Sequence, residues 1–172
     1  PVAERVDVVV CGGGPAGVSA AVAAARQGAS VRLIECHGQL GGVWTSGLLS
    51  WVIDWGNKAG VMAEVRDRLE AIGGASDQGG LAYDPEKMKL VLERVCLEAG
   101  VRVRLHTRVV AAARDGDNRL AVVITESKSG REAFAAKCFV DATGDGDLAA
   151  LAGCGYDFGR PAEGAGAAGP DR

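Results

Sequence analysis

The feature that most constrains this chain is a glycine-rich turn between two short apolar strands near its N-terminus. An apolar strand is predicted over residues 6–10, and residues 11–17 then read C-G-G-G-P-A-G. An alanine-rich helix is predicted over residues 18–27, and a second strand, residues 31–34, ends on Glu35. This order of a strand, a G-x-G-x-x-G turn, a helix and a strand with a terminal acid is the dinucleotide-binding fingerprint.

Each glycine of the turn has its own expected steric role. Gly12 permits the tight turn out of the strand, and Gly17 lets the helix lie close to that strand. Gly14 has no Cβ, so that a pyrophosphate can approach the backbone. The helix begins near Pro15 and Ala16, where unpaired N–H groups and a partial positive charge favour phosphate binding.

The acid at the end of the second strand predicts which dinucleotide binds. Glu35 lies where a carboxylate can accept hydrogen bonds from a ribose diol. The same charge would repel a ribose 2′-phosphate, and we therefore expect FAD or NAD rather than NADP.

Size and composition exclude several classes of protein. With 172 residues, 48% of them hydrophobic, the chain suits one domain with a substantial core. The net charge is −3 and no basic stripe is visible, so nucleic-acid binding is not expected. No apolar run approaches the ~20 residues that span a bilayer, and no leader precedes the first strand, so we expect no membrane segment and no secretion signal.

The five cysteines predict a reducing environment rather than a disulfide scaffold. They are scattered, odd in number, and show neither C-x-x-C pairing nor His/Cys ligand spacing, so that we expect a cytoplasmic location and no metal site. Cys11, Cys96 and Cys138 lie in apolar patterns and are expected to be buried.

The rest of the chain predicts further helices and strands. Residues 36–56 form a long connection, rich in glycine and containing all three tryptophans, and a connection of this length is usually functional. The elements predicted after it are a helix over residues 58–72 capped by Asn57, a loop over 74–83, a helix from Asp84 to Gly100, a strand over 101–105, an antiparallel meander over 109–113, 120–124 and 133–140, and a short helix over 148–151. The fold class is thus α/β: a Rossmann-like parallel sheet with helices on both faces and a small antiparallel β-meander.

Two further motifs connect this layout with a known family. Residues 40–47 read L-G-G-V-W-T-S-G, and residues 141–149, at the end of the last predicted strand, read D-A-T-G-D-G-D-L-A. Together with the first turn, they resemble the FAD-binding domain of the glutathione-reductase-like flavoproteins, and most closely the FAD-dependent oxidoreductases that carry such segments. The resemblance covers about residues 5–160 and implies FAD as the cofactor.

The resemblance also implies which residues contact the cofactor. In similar proteins the segment that matches Gly42 and Thr45 runs beside the isoalloxazine ring, and the position of Val109 binds adenine through the backbone. Thr143 and Gly144 lead into a second helix start that would aim N–H groups at the cofactor, and Asp145 would bind its ribityl or ribose hydroxyls.

The implied function is a flavin-dependent oxidoreductase, in which hydride or electrons pass between an organic small molecule and the flavin. No catalytic acid, base or nucleophile can be named. Two alternatives remain open: an NAD-linked dehydrogenase domain, which would need neither the meander nor the second motif, and a non-catalytic module that binds a nucleotide or a partner.

The resemblance also predicts how the chain is divided. Residues 1–158 are expected to form the FAD-binding domain, and residues 159–172, mostly Gly, Ala and Pro, a disordered tail. Family members are longer, and their further regions complete the flavin pocket. Three explanations for the missing regions remain open: a fragment of a longer protein, a truncated gene product, or a partner chain or oligomer that completes the flavin pocket.

Overall fold

A computed structural model of the chain describes residues 2–77, 80–157 and 159. The strands of these residues are β1 (Val2–Cys11), β2 (Val31–Ile34), β3 (Trp51–Val52), β4 (Ala75–Asp77), β5 (Leu81–Tyr83), β6 (Arg102–Arg104), β7 (Arg108–Arg114), β8 (Leu120–Ser127) and β9 (Gly130–Asp141). The helices are α1 (Pro15–Arg26), α2 (Val61–Ala71), α3 (Pro85–Glu98) and α4 (Asp147–Leu151), with short 3₁₀ turns at Gly42–Trp44 and Trp55–Asn57. Among the helices that these residues form, none has the length and apolar character needed to cross a bilayer.

Six strands form one mixed sheet in the order β6-β2-β1-β9-β8-β7. The first four are parallel to one another, whereas β8 and β7 continue the sheet as an antiparallel meander. Strand β9 joins the two parts, because residues 130–135 pair with β8 and residues 133–141 pair with β1. The predicted fold class, a Rossmann-like parallel sheet with a small meander, is confirmed.

The central strand β1 separates two apolar cores. Its residues Val9 and Val10 are fully buried and point to opposite faces, as successive residues of a strand do. On the face of Val10 the sheet packs against α1, α2 and α3. On the face of Val9 the core includes Phe134 of β9 and Leu148 of α4. The carboxyl ends of the parallel strands are thereby fixed between two packed layers.

The region between β2 and α3 differs from its prediction. Residues 74–83 contain β4 and β5, which form a second, antiparallel sheet with β3 rather than a loop. Helix α2 begins at Val61 after Gly60, and Asn57 belongs to the preceding 3₁₀ turn instead of capping the helix. Strands of two or three residues are too short to show an alternating pattern, which is why the sequence did not reveal this sheet.

The structure confirms some of the other local predictions and contradicts one. The Asp84 carboxylate caps α3 by accepting hydrogen bonds from the N–H groups of Glu86 and Lys87. Cys11 and Cys96 are buried, but Cys138 is exposed, so its predicted burial is wrong. An apolar strand does not by itself indicate which of its residues the helices cover. The predicted tail over residues 159–172 lies, apart from Gly159, outside the described residues.

Candidate functional site

A cavity of about 610 Å³ lies at the carboxyl ends of the parallel strands β1, β2 and β9. Parallel α/β sheets usually bind their ligands at this edge. The lining residues are Gly12, Gly14, Pro15 and Ala16 after β1, Ile34, Glu35, Cys36 and His37 at the end of β2, Gly42 and Val43, Thr107, Arg108 and Val109, and Asp141, Ala142, Thr143, Gly144, Gly146 and Asp147 after β9. Five separate segments of the chain therefore contribute to one cavity.

The first glycine turn, residues 12–17, is held from several sides. Its Gly12 N–H donates to the Ile34 carbonyl at 2.8 Å, and the Gly13 N–H donates to the Glu35 carboxylate at 2.6 Å. The Gly13 carbonyl accepts from the Gly41 N–H at 2.8 Å. The turn and the L-G-G segment, which are far apart in sequence, are thus in direct contact.

The glycines of this turn have different steric environments. Gly12 has φ +104°, and a Cβ there would lie 2.1 Å from the Ala142 carbonyl oxygen. A Cβ on Gly17 would lie 1.8 Å from the Gly12 oxygen, so that Gly17 allows the helix to approach the turn, as predicted. A Cβ on Gly14 would meet no atom within 4 Å. Gly14 therefore faces open space, and the packing of the chain around it does not require a glycine at this position.

The N-terminus of α1 opens into the cavity without a side-chain cap. Gly14 is the capping residue, Pro15 occupies the first turn, and no acidic residue lies in that turn. Gly14, Pro15 and Ala16 all line the cavity. Since the first N–H groups of a helix have no partner within the helix, this end presents donors and a partial positive charge to a bound anion.

The second glycine turn, residues 141–147, is organised differently. Asp141 accepts hydrogen bonds from the Thr143 hydroxyl at 2.7 Å, the Thr143 N–H at 3.1 Å and the Ala149 N–H at 2.8 Å. The Thr143 hydroxyl in turn accepts from the Asp147 N–H at 2.8 Å. Burial raises the pKa of Asp141, but the donors from Ala149 and Thr143 outweigh it, so the pKa lies below its usual value.

These bonds correct one expectation. The N-terminus of α4 was expected to aim its N–H groups at a cofactor, but the N–H groups of Asp147 and Ala149 already donate to Thr143 and Asp141. The helix also has only five residues, Asp147–Leu151. This turn therefore lines the cavity with residues such as Thr143 and Gly144, and not with the N-terminus of a long helix.

The carboxylate of Glu35 is buried and fully engaged at the end of β2. Its Oε2 accepts from Gly13, and its Oε1 accepts from the His37 N–H at 2.7 Å and lies 2.9 Å from His37 Nδ1. Burial raises the pKa of Glu35, but the backbone donors of His37 and Gly13 and the side chains of Cys36 and His37 lower it more, and the pKa ends below its usual value. Glu35 therefore stays ionised at neutral pH.

Most of the residues predicted for the site meet in this cavity. Those that line it are Gly12, Gly14, Pro15, Ala16, Glu35, Gly42, Val109, Thr143 and Gly144. Gly17 is packed against Gly12 behind the cavity, and Asp145 is exposed outside its lining. Thr45 is buried, and its hydroxyl donates to the Leu40 carbonyl at 2.6 Å, so the structure shows it bracing the segment beside Gly42.

Sequence reasoning missed several lining residues, among them Arg108, Asp141 and the pair Cys36 and His37. Asp141 had a detectable signal, because an Asp two residues before a Thr-Gly pair commonly accepts hydrogen bonds from its own turn. Arg108 had none: its position beside Cys36 depends on how the meander returns to the end of β2.

Comparisons with known proteins give the same picture at the level of family and fold. The family model described as FAD dependent oxidoreductase matches residues 7–169. No curated protein sequence matches the chain.

Among solved structures, three similar ones are a geranylgeranyl bacteriochlorophyll reductase-like protein from Thermoplasma acidophilum, THI4 from Thermovibrio ammonificans, and p-nitrophenol 4-monooxygenase from Pseudomonas putida DLL-E4. Their TM-scores are 0.64, 0.62 and 0.63, at identities of 18%, 20% and 18%. They match 87%, 86% and 90% of this chain, which spans only 42%, 61% and 44% of theirs. At such identities the likeness shows the fold alone.

Proposed function

Since this chain belongs to the family of FAD dependent oxidoreductases, we propose that residues 1–158 are its cofactor-binding domain and that the cavity at the end of the sheet holds FAD. The observation that carries the proposal is the open, uncapped start of α1 beside Gly14. Backbone donors and free space occur together there, which is what a diphosphate requires.

The other walls suit the remaining parts of a dinucleotide. The ionised Glu35 carboxylate lies beside the first turn and is placed to accept ribose hydroxyls. Val109 lines the same end of the cavity and is proposed to contact adenine. Gly42, which lies beside Gly14, and Thr143–Gly144 are proposed to contact the flavin half, with Thr45 holding the backbone near Gly42 and Asp145 reaching the cofactor hydroxyls.

FAD supplies the redox chemistry when it is bound, and the protein binds and orients it. We propose that the substrate is an organic small molecule that exchanges hydride or electrons with the flavin. In this proposal the described residues act on the cofactor side: the start of α1 binds the diphosphate, and Glu35 binds a sugar.

A run of exposed apolar side chains beside the cavity supports a further part of the proposal. Val43 is 51% exposed at the cavity edge, and Leu48, Leu49 and Ile53 nearby are 67%, 49% and 76% exposed. Contiguous apolar surface of this kind usually packs against protein. We propose that a partner chain or a second copy covers this run and completes the flavin pocket.

Sedimentation of the protein should show that it associates, and the variant Leu48→Ser should weaken this association. A protein that stays monomeric and binds FAD with full affinity would contradict the proposal.

The test of cofactor binding is a titration of flavin-free protein with FAD, followed by quenching of flavin fluorescence. Glu35→Gln should weaken FAD binding by about tenfold or more, because hydrogen bonds to a charged group contribute about 1.5–3 kcal/mol. Glutamine is preferred to alanine because it keeps an acceptor for the buried Gly13 N–H.

The matched control is Glu126→Gln, which removes an exposed carboxylate paired with Arg131 on the meander. The Glu126→Gln variant should leave FAD affinity unchanged.

ADP should compete with FAD for binding to the wild-type protein, because most of the proposed contacts are to the adenosine diphosphate half of FAD. Wild-type protein that binds no FAD, or a Glu35→Gln variant that binds it equally well, would overturn the proposal.

A further inference from the structure

Three different donor atoms come together where β2 enters the cavity. Glu35 Oε1 lies 3.2 Å from Cys36 Sγ and 2.9 Å from His37 Nδ1, and the sulfur lies 3.4 Å from the same nitrogen. Carboxylate oxygen, cysteine sulfur and imidazole nitrogen are the zinc ligands of proteins. Bonds of about 2.0–2.3 Å to a tetrahedral ion place neighbouring ligand atoms roughly 3.3–3.7 Å apart, close to the spacing found here.

The backbone holds these three residues in place independently of any ion. The Thr107 N–H donates to the Glu35 carbonyl at 2.9 Å, and the His106 N–H donates to the His37 carbonyl at 3.0 Å. Glu35 is fixed further by Gly13. The donors are therefore preorganised, which lowers the entropy that a bound ion must overcome.

The cluster is also accessible. Cys36 and His37 are exposed, whereas Glu35 is buried beneath them, and all three line the cavity. An ion can reach the three atoms from the cavity and keep a water molecule as its fourth ligand.

We propose that Glu35, Cys36 and His37 bind one divalent cation of the zinc class when FAD is absent, and that this cation excludes the adenosine part of FAD. Both ligands need the Glu35 carboxylate, whose Oε1 lies within 3.2 Å of the cysteine sulfur and of the imidazole nitrogen, so a cation held there takes the acceptor that a ribose hydroxyl would use. The exclusion rests on the proposed function, whereas the cation binding does not. Binding replaces the thiol proton of Cys36 with the metal and releases that proton to solvent.

The cation site is tested with Co²⁺, added to flavin-free protein in a non-thiol reductant. Tetrahedral coordination with a thiolate gives visible d–d bands and a near-ultraviolet charge-transfer band, at one ion per chain. Cys36→Ser should remove the charge-transfer band, and both it and His37→Ala should weaken binding by at least tenfold.

Cys154→Ser is the control, because it removes an exposed cysteine that does not line the cavity. It should bind Co²⁺ like the wild type. The proposed site would be overturned if the wild type showed no charge-transfer band, or if the band persisted in Cys36→Ser. The three residues would then form a hydrogen-bonded cluster that binds no cation.

The exclusion is tested by repeating the FAD titration in the presence of Zn²⁺. The apparent Kd for FAD should rise in proportion to the occupancy of the zinc site, about 100-fold when Zn²⁺ stands at 100 times its own Kd. In Cys36→Ser the ratio of the FAD Kd with Zn²⁺ to the FAD Kd without it should fall to about one, whatever the variant's own FAD affinity. Unchanged FAD affinity in zinc-loaded wild type would overturn the exclusion. Failure to bind FAD without metal would instead overturn the proposed function, and the Co²⁺ result would still decide the cation site.

Discussion

The two glycine turns at the cavity both connect a strand to a helix. They differ in whether neighbouring side chains accept hydrogen bonds from the first N–H groups of that helix. Each follows a strand of the parallel part of the sheet, contains a glycine with positive φ and leads into a helix. After β1, a twelve-residue helix begins at Pro15, and the preceding Gly14 has no side chain to cap it. After β9, Asp141 and Thr143 take up the N–H groups at the start of a five-residue helix.

The difference shows that a strand, a glycine turn and a helix do not by themselves make an anion site. The side chains next to the turn decide whether the helix donors are left for a ligand or used internally. In the first turn the neighbouring residues are Gly, Pro and Ala, which have no side-chain acceptor. In the second, an aspartate and a threonine supply acceptors, and the N–H groups of Asp147 and Ala149 are used within the turn.

The largest expected effect distinguishes two glycines of the first turn. Gly12→Ala places a Cβ against the Ala142 carbonyl at a φ of +104°, and should lower the free energy of unfolding by about 3 kcal/mol or more. The methyl group of Gly14→Ala would meet no atom within 4 Å, so this variant should change the free energy of unfolding by less than about 1 kcal/mol. It should nevertheless weaken FAD binding, because the methyl group enters the cavity. Urea unfolding and FAD titration measure both; equal destabilisation by the two variants would contradict the steric assignment.

The next effect concerns the internal capping of the second turn. Asp141→Ala leaves the Thr143 and Ala149 donors without their acceptor and should cost about 1–2 kcal/mol, the usual loss for a helix cap. Amide hydrogen exchange should become faster at the start of α4 and stay unchanged at α1. Faster exchange at both helices would show that the two turns are not separately organised.

Acid should weaken both turns through their carboxylates. The folded-state pKa values of Glu35 and Asp141 lie below their usual values, so their contribution to stability is complete above about pH 4 and is lost as the pH falls through the folded-state pKa. Urea unfolding between pH 2 and pH 7, about the range that brackets both groups, should therefore show a decline at the acid end. Asp141→Asn should reduce the slope of this decline but not abolish it, because Glu35 still titrates; an unchanged slope would contradict the assignment.

The smallest effect is expected for the exposed acid of the second turn. Asp145→Ala should change the free energy of unfolding by less than about 0.5 kcal/mol, since it removes an exposed side chain outside the capping bonds. If Asp145 binds cofactor hydroxyls as proposed, FAD affinity should still fall several-fold. Unchanged affinity would remove this residue from the proposed site.

Local signals in the sequence predicted the fold and several residues that line the cavity. The positions of Gly12, Gly14 and Glu35 follow from steric and charge requirements within one strand–turn–helix unit, and the cap at Asp84 is equally local. Predictions failed where distant segments decide the outcome. The pairing of Trp51 with Ala82 creates a small sheet from strands that are too short to recognise in the sequence.

The pairing of β1 with β9 has a consequence for the order of events in the cell. Val9 lies beside Phe139, and the second glycine turn follows only at the end of that strand. A growing polypeptide thus exposes its first turn long before the opposite wall has been synthesised. Until β9 has been synthesised, β1 can pair only with β2, and its other edge is an unpaired strand edge that is open to non-native pairing.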